Sequence, residues 1–412
     1  MFGWTSRQRN VAIASFLSWT LDAFDFFVLV FLLSDIATAF QVDIKQVTLA
    51  ILLTLAVRPI GALLFGRAAE KYGRKPVLMA NIALFSFFEL CTAAAPSLTV
   101  FLILRVIYGI AMGGVWGVAS SLAMETIPDR SRGMMSGIFQ AGYPFGYLLA
   151  AVVYGLLFDV VGWRGMFVIG AVPIFLLPFI WFKVQESPVW LAARERNEST
   201  ALMPVLKKNW KLCVYLVVLM AGFNFFSHGT QDLYPTFLKV QHGFDAHTVS
   251  LIAISYNIAS IIGGIFFGSL SEKIGRKKAI IIAALLSLPV IPLWAFSGGS
   301  WMLGLGAFLM QFMVQGAWGV VPTYLTELVP ANTRAVLPGF VYQLGNLIAS
   351  VNATLQAYIA ESHGHNYGLA MAIVAGTVAI LISVLVAFGR DTSGKAIAGA
   401  INNQKVNDRA KV

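Results

Sequence analysis

Charge is what this chain has least of. Asp, Glu, Lys and Arg together make up 12% of its 412 residues, against the roughly 25% usual in soluble domains. Hydrophobic residues make up 58%, and the mean hydropathy is +0.77. That balance excludes a soluble globular protein. Cysteine is nearly absent. Cys91 and Cys213 both lie in or beside apolar segments, which suggests neither a disulfide framework nor a metal site. There is no phosphate-binding glycine loop, nucleophile elbow or cluster of metal-ligand spacing. The two histidines of the loop 361–367 (ESHGHNY) have no companion ligands and read as solvated. An enzyme is therefore not expected, nor a cofactor or a metal, and energy for any work should come from an ion gradient. The start, MFGWTSRQRN, shows no cleavable signal pattern, so the first apolar segment is expected to be a retained helix.

What the chain does have is apolar length. Spans are expected near 11–34, 46–66, 76–95, 98–122, 134–158, 164–183, 211–239, 247–270, 278–297, 300–325, 335–360 and 366–388, each about 20 residues, enough for one bilayer crossing. The formal net charge of +10 is then a topology signal rather than a sign of a nucleic-acid partner. Of the 29 Lys and Arg, all but Lys45, Arg58, Arg105, Arg164 and Lys239 fall in the even-numbered loops and the two tails. The positive-inside rule places both termini in the cytoplasm.

The stretch Asn224 to Thr236, NFFSHGTQDLYPT, lies inside one of these apolar segments. Asn224, His228, Asp232 and Thr236 recur every four residues, one stripe of a helix, with Ser227 and Gln231 beside it. An Asp at mid-bilayer costs about 2.5 to 3.5 kcal/mol on insertion scales. Such a stripe must face a protein interior or a water-filled cavity, as a substrate or proton site or as a hydrogen-bonding seam between helices.

The chain also repeats itself at an offset of 202 residues. Gly66 to Lys75 reads GRAAEKYGRK and Gly268 to Lys277 reads GSLSEKIGRK. Val115 to Val118 (VWGV) returns as Ala317 to Val320 (AWGV), and Glu125, Pro128 and Arg132 return as Glu327, Pro330 and Arg334. The same shift lays Asp22 on Asn224 and Asp25 on Ser227. Two six-helix halves related by repetition are the plan of alternating-access transporters, with substrate held between them at mid-membrane. The expected organisation is an N-terminal bundle 1–183, a polar cytoplasmic linker 184–210 containing Arg194 to Glu198, a C-terminal bundle 211–390 and a cytoplasmic tail 391–412. The fold class is thus an all-α membrane protein of twelve transmembrane helices in two pseudo-symmetric bundles.

Glu70-Lys71-x-Gly73-Arg74-Lys75 and its repeat resemble the loop 2–3 and loop 8–9 signature of the major facilitator superfamily. Arg105-x-x-x-Gly109-x-x-x-Gly113-Gly114 resembles its fourth-helix motif, and Glu186-Ser187-Pro188-x-Trp190-Leu191 its motif after helix six. Gly142-Tyr143-Pro144-Phe145-Gly146 matches the proton-antiporter motif of helix five poorly, which argues against drug efflux. Asn224, Ser227, His228, Thr230, Gln231, Asp232 and Thr236 match the seventh-helix signature of fungal lactate/pyruvate permeases without departure, and Leu21 to Phe26 (LDAFDF) resembles helix one of bacterial sialic acid permeases. The resemblance to this sialate/monocarboxylate:proton symporter group implies a proton-coupled importer of small monocarboxylates such as lactate or pyruvate, working as a monomer in a bacterial inner membrane. Its partners would be the acid anion, the proton and the lipid bilayer. The sialic acid permeases' extra central helix pair has no counterpart here, which favours the smaller acids. A carrier of sialic acid or another organic anion, and a transporter-fold receptor, are the rival readings. The linker and tail are short for a receptor's signalling module.

Site candidates follow. Arg58 near mid-depth of the second span fits a substrate carboxylate with its planar fork, or a permanent partnership with Asp22 or Asp25. Asp22 and Asp25, together with His228 and Asp232, are candidates for proton coupling, because a carboxyl group held out of water favours its neutral form. Glu89 of the third span either lines the cavity or pairs with Arg105 of the fourth, the structural pairing being favoured. Gln140 and Tyr143 on a glycine- and proline-bearing fifth span, and Asn224 and His228 on the seventh, are candidates for substrate contact. Gln343, Asn346 and Ser350 share one face of the eleventh span, and the first two resemble the Gln-x-x-Asn pair of the same permeases, which implies substrate recognition. Glu70, Arg74, Glu125, Arg132 and their repeats Glu272, Arg276, Glu327 and Arg334 are expected to lock the cytoplasmic face, Glu125 bracing with Arg132 and Glu327 with Arg334. Exposed pairs contribute only about 0–1 kcal/mol each, so a network is required.

Overall fold

The computed structural model describes residues 3–42, 44–195, 207–330, 333–390 and 392, and among these every regular element is helical. Linker residues Arg196, Asn197 and Glu198, and the tail 391–412 except Thr392, lie outside the described residues.

The first four crossings are α1 (Ser6–Phe31), α2 (Ile44–Tyr72), α3 (Arg74–Ala93) and α4, the last in two segments, Leu98–Gly113 and Val115–Thr126. The fifth, α5, begins with Arg132–Gln140 and continues into the run Gly142–Gly170, which Gly162 breaks at φ 66°. After that turn α6 runs over 163–170, a tight turn Val172–Phe175 and Leu176–Lys183. The second half repeats the plan with α7 (Trp210–Gln231), α8 (Ala246–Ile274), α9 (from Arg276–Leu286 to Ile291–Ala295), α10 (Ser300–Leu328), α11 (Leu337–Ala349 and Asn352–Ser362) and α12 (Tyr367–Phe388). Among the described residues, ten helices are individually long and apolar enough to cross a membrane, one of them merging α5 with the start of α6. The other two crossings, α6 and α11, are broken into shorter pieces, which is why neither passes on length.

Burial is arranged for lipid outside and polarity inside. Leu64, Leu156, Phe182 and Phe266 are exposed, whereas Asp22, Asp25, Arg58, Glu89 and Arg105 are buried. This is the ordering a bilayer imposes, since ionisable groups survive at depth only against the bundle interior.

The repeat is preserved in three dimensions at the seam between halves. A Cβ on Gly66 of α2 would stand 2.9 Å from the Ala335 carbonyl at the start of α11, and one on Gly268 of α8 would stand 2.5 Å from the Gly133 carbonyl at the start of α5. Gly117 of α4 meets Gly339 of α11 so closely that a Cβ on Gly339 would lie 2.8 Å from the Gly117 Cα. Only glycine permits that approach. Gly339→Val is therefore expected to hold the two halves apart on this face and to shift the protein towards the state open there. The check is alkylation of a cysteine placed at Ala119 or Val341, both buried. Unchanged protection in a folded Gly339→Val background would count against the seam as the closing contact.

Candidate functional site

A cavity of about 420 Å³ lies between the halves. Its floor is aromatic: the lining Trp318 meets Tyr342 edge-on at 5.8 Å, with the buried Trp116 stacked on Tyr342 at 4.7 Å and the buried Trp19 5.7 Å from the lining Tyr143. Trp116 and Trp318 are repeat-related, and each indole N–H is satisfied, by the Gln140 side chain at 3.3 Å and by the Phe223 carbonyl at 3.1 Å. Above the floor the cavity reaches the ends of α1 and α7 farthest from the signature loops, at Val30 and Pro235. The Asp232 side chain is 38% exposed, so water reaches the site from that side.

The opposite side is closed. Glu70 Oε1 accepts from Ala335 N–H at 2.8 Å, and its repeat mate Glu272 accepts from Met134 N–H at 2.8 Å. Each carboxylate thus caps the first helical turn of a crossing in the other half, where the helix dipole favours negative charge. Arg132 reaches Glu327 across the seam at 3.3 Å and also bonds Asp129. Thr323 Oγ1 donates to the Arg132 carbonyl at 2.9 Å.

The expected braces are rearranged. Glu125 does not pair with Arg132; it receives a bidentate fork from Arg74 at 3.1 Å through both Nε and Nη2. Glu327 pairs not with Arg334 but with Arg276 at 3.2 Å and with Arg132, while Arg334 donates to the Thr326 carbonyl at 3.2 Å. The cause is the chain reversal at Gly73 and Gly275 (φ 108° and 93°), which sets Arg74 and Arg276 at the starts of α3 and α9. Nor are these pairs exposed: the Arg74 and Glu125 side chains are 2% and 0% accessible, so removing one partner costs about 3–5 kcal/mol rather than the surface value. The segment after α6 latches onto the same network. Ser187 donates to Glu125, Trp190 Nε1 donates to the Glu70 carbonyl at 2.8 Å, and Glu186 accepts from the Arg74 and Lys75 amides at 3.0 and 3.1 Å. Burial raises the Glu186 pKa above its ordinary value, against the pull of those amides.

Seven of the sequence candidates line the cavity: Arg58, Gln140, Tyr143, Asn224, His228, Asp232 and Asn346. Arg58 is held from behind. The Gly113 of α4 lies against its backbone, where a Cβ would come within 2.2 Å of the Arg58 carbonyl, and its Nη2 donates to Asp22 Oδ2 at 3.0 Å. The contact is single, and Arg58 Nε and Asp22 Oδ1 have no bonded partner. On the facing wall, His228 Nδ1 is 3.2 Å from Asp232 Oδ1 and Nε2 is 3.0 Å from Asn346 Oδ1. After Gln231 the regular α7 helix ends, Pro235 sits in the short turn Tyr234–Thr236, and a wide π turn follows over Phe237–Gln241.

Three of the substrate and proton candidates are absent from the cavity wall: Asp22, bonded to Arg58, and Asp25 and Gln343. Asp25 is fully buried beside the Glu89–Arg105 pair, whose oxygen and nitrogen are 2.7 Å apart, and neither Asp25 oxygen has a bonded partner. Gln343 is 1% exposed and absent from the cavity wall, with both amide atoms unpartnered. Sequence reasoning missed Gln315, Tyr256 and Asn257, which line the cavity, and Gln311, which accepts from Gln231 at 2.7 Å. The two glutamines lie four residues apart on an otherwise apolar helix, the same one-face spacing that marked α7.

The comparisons agree with this architecture. A family model described as Major Facilitator Superfamily matches residues 15–244 and again 214–405. A carboxylic acid transporter protein homolog of Saccharomyces cerevisiae is 30% identical over 98% of this chain and 71% of its own length. The sialic acid transporter NanX of Escherichia coli is 29% identical over 94% of this chain and 95% of its own. Among solved structures, the proton:xylose symporter XylE superposes with a TM-score of 0.79 at 19% identity, over 97% of this chain and 99% of that one, a likeness of fold alone. With a family model over both halves, and a relative 30% identical over 98% of this chain, the chain belongs to the Major Facilitator Superfamily: it is a multi-pass membrane transporter and not an enzyme.

Proposed function

We propose that the protein is a symporter that imports a small organic monocarboxylate, such as lactate or pyruvate, together with a proton by alternating access. The observation that carries the reading is Arg58, a buried guanidinium on the cavity wall with a single carboxylate contact and an unpartnered Nε. A substrate carboxylate supplies the missing acceptor in the bidentate geometry that guanidinium favours. The relatives named for carboxylic and sialic acids agree with an anionic cargo. The signature-loop face, rich in Lys and Arg, is the cytoplasmic side, so the cavity faces outward. The protein works as a monomer in a bacterial inner membrane with both termini inside, its two bundles joined by the linker 184–210.

The test is uptake of labelled L-lactate into proteoliposomes with and without an inward proton gradient. Gradient-stimulated accumulation supports the reading, and its absence in folded protein that binds other acids removes lactate. One anion moving with one proton carries no net charge, so an inside-negative voltage at fixed pH is expected to leave uptake unchanged. Stimulation by voltage would mean additional protons or another ion.

One observation favours larger acids. The volume of 420 Å³ is in the range of pockets that enclose drug-sized ligands, several times what a three-carbon acid fills. Counterflow with sialic, aromatic and aliphatic acids separates the two readings.

A further inference from the structure

We propose that the C-terminal wall of the cavity reads a hydrogen-bond donor on the acid, so that 2-hydroxy acids are selected over their 2-keto and unsubstituted counterparts. This deepens the anion reading above and rests on it. The two walls differ in chemistry. The cavity-lining Arg58 of the N-terminal half falls at a repeat position occupied in the C-terminal half by Ser260. Beside His228 and Asp232, the C-terminal wall carries five amides, Asn224, Gln231, Asn257, Gln315 and Asn346.

The orientation of three of those amides is fixed by their partners. Asn224 Nδ2 donates to the Met220 carbonyl at 2.8 Å, and Asn257 Nδ2 to the Ala253 carbonyl at 2.9 Å. A backbone carbonyl can only accept, so in each case the bond fixes which end of the amide is nitrogen and which is oxygen, and uses one of the two N–H donors. Gln231 Nε2 donates to Gln311 Oε1 at 2.7 Å, and Gln311 is itself fixed because its Nε2 donates to the Thr230 hydroxyl at 2.9 Å and leans on the Thr230 carbonyl at 3.4 Å. The Thr230 hydroxyl hydrogen is already given to the Phe226 carbonyl at 2.9 Å. Among the described residues, the amide oxygens of Asn224, Gln231 and Asn257 are left without a protein partner, and all three residues line the cavity. Asn346 and Gln315 follow the His228 tautomer and the Ser227 hydroxyl, respectively, and take no side.

A wall of acceptors facing a guanidinium gives the cavity a polarity. The carboxylate goes to Arg58, and the group on the next carbon meets oxygens. A hydroxyl there donates to them. A keto oxygen repels them, and a methylene leaves them desolvated and unpaired. One neutral hydrogen bond of this kind corresponds to about tenfold in affinity.

The test is competition for counterflow in proteoliposomes with matched acids: L-lactate, pyruvate and propionate, and the larger pair mandelate and phenylacetate. The hydroxy member of whichever set binds is expected to compete about tenfold better than its counterparts. Asn257→Leu, checked for folding by its thermal transition, should bring the hydroxy-to-unsubstituted ratio towards one, and Gln231→Leu serves if that variant does not fold. The ratio cancels any general loss of transport. Pyruvate or an unsubstituted acid competing as well as the hydroxy acid overturns the acceptor wall while leaving the anion reading intact. Failure of every acid to compete overturns both.

Discussion

Arg58→Lys is expected to lower acid uptake at least about 30-fold although it keeps the charge. The guanidinium does two things at once: one nitrogen holds Asp22 at 3.0 Å, and the side chain lines the cavity. An ammonium is a point charge on a flexible stem and cannot hold one carboxylate behind it while presenting a planar edge to another. Truncating one partner of a buried, hydrogen-bonded charge pair costs about 2–5 kcal/mol, which is roughly 30- to 4000-fold in a rate or an affinity. Arg58→Ala is expected to be worse for the fold, since it leaves Asp22, 1% exposed, without its cation. Arg58→Ala combined with Asp22→Asn should recover the melting temperature but not uptake. Initial rates of lactate uptake, beside thermal melts of the same preparations, separate the two effects. Near-normal transport by Arg58→Lys would remove Arg58 from the substrate site.

The halves, the crossings and the polar stripe of α7 were legible because each is written as a period along one chain. The offset of 202 residues survives folding at Gly66 and Gly268, and at Glu70 and Glu272, which cap opposite halves. What a period does not specify is which residue meets which across two helices. Glu125 and Arg132 are close in sequence, yet the reversal at Gly73 brings Arg74 to Glu125 and frees Arg132 for Glu327. Gln343 and Asn346 share a helical face, but that face is about 100° wide and only Asn346 reaches the cavity. Burial is equally invisible to spacing. The gate charges occupy loop-like sequence, yet Arg74, Glu125 and Arg132 are closed off by the seam.

Asp25→Asn is expected to separate exchange from accumulation. Apart from the buried Glu70, Arg74, Glu125 and Arg132 of the signature-loop face, the N-terminal bundle buries three carboxylates, Asp22, Asp25 and Glu89, with two guanidiniums, Arg58 and Arg105. Asp22 is bonded to Arg58 and Glu89 to Arg105, which leaves Asp25 as the carboxyl without a cation and both its oxygens unbonded. An ion buried without a partner costs several kcal/mol, and a single proton brings the cluster to neutrality. The repeat positions in the other half, Asn224 and Ser227 for Asp22 and Asp25, Ser260 for Arg58 and Ala307 for Arg105, carry no formal charge, so the counting belongs to one bundle. In contrast, the His228 and Asp232 side chains are 31% and 38% exposed and line the cavity. Asparagine imitates a loaded Asp25 that cannot release its proton. The carrier then still cycles with substrate bound on both sides, so counterflow of labelled lactate should persist within a few-fold of the native rate. Uptake against a lactate gradient, driven by an imposed inward proton gradient, should fall to the level of passive equilibration. Accumulation by Asp25→Asn equal to that of the native protein would move the coupling to the His228–Asp232 pair, whose replacement should then show the same separation.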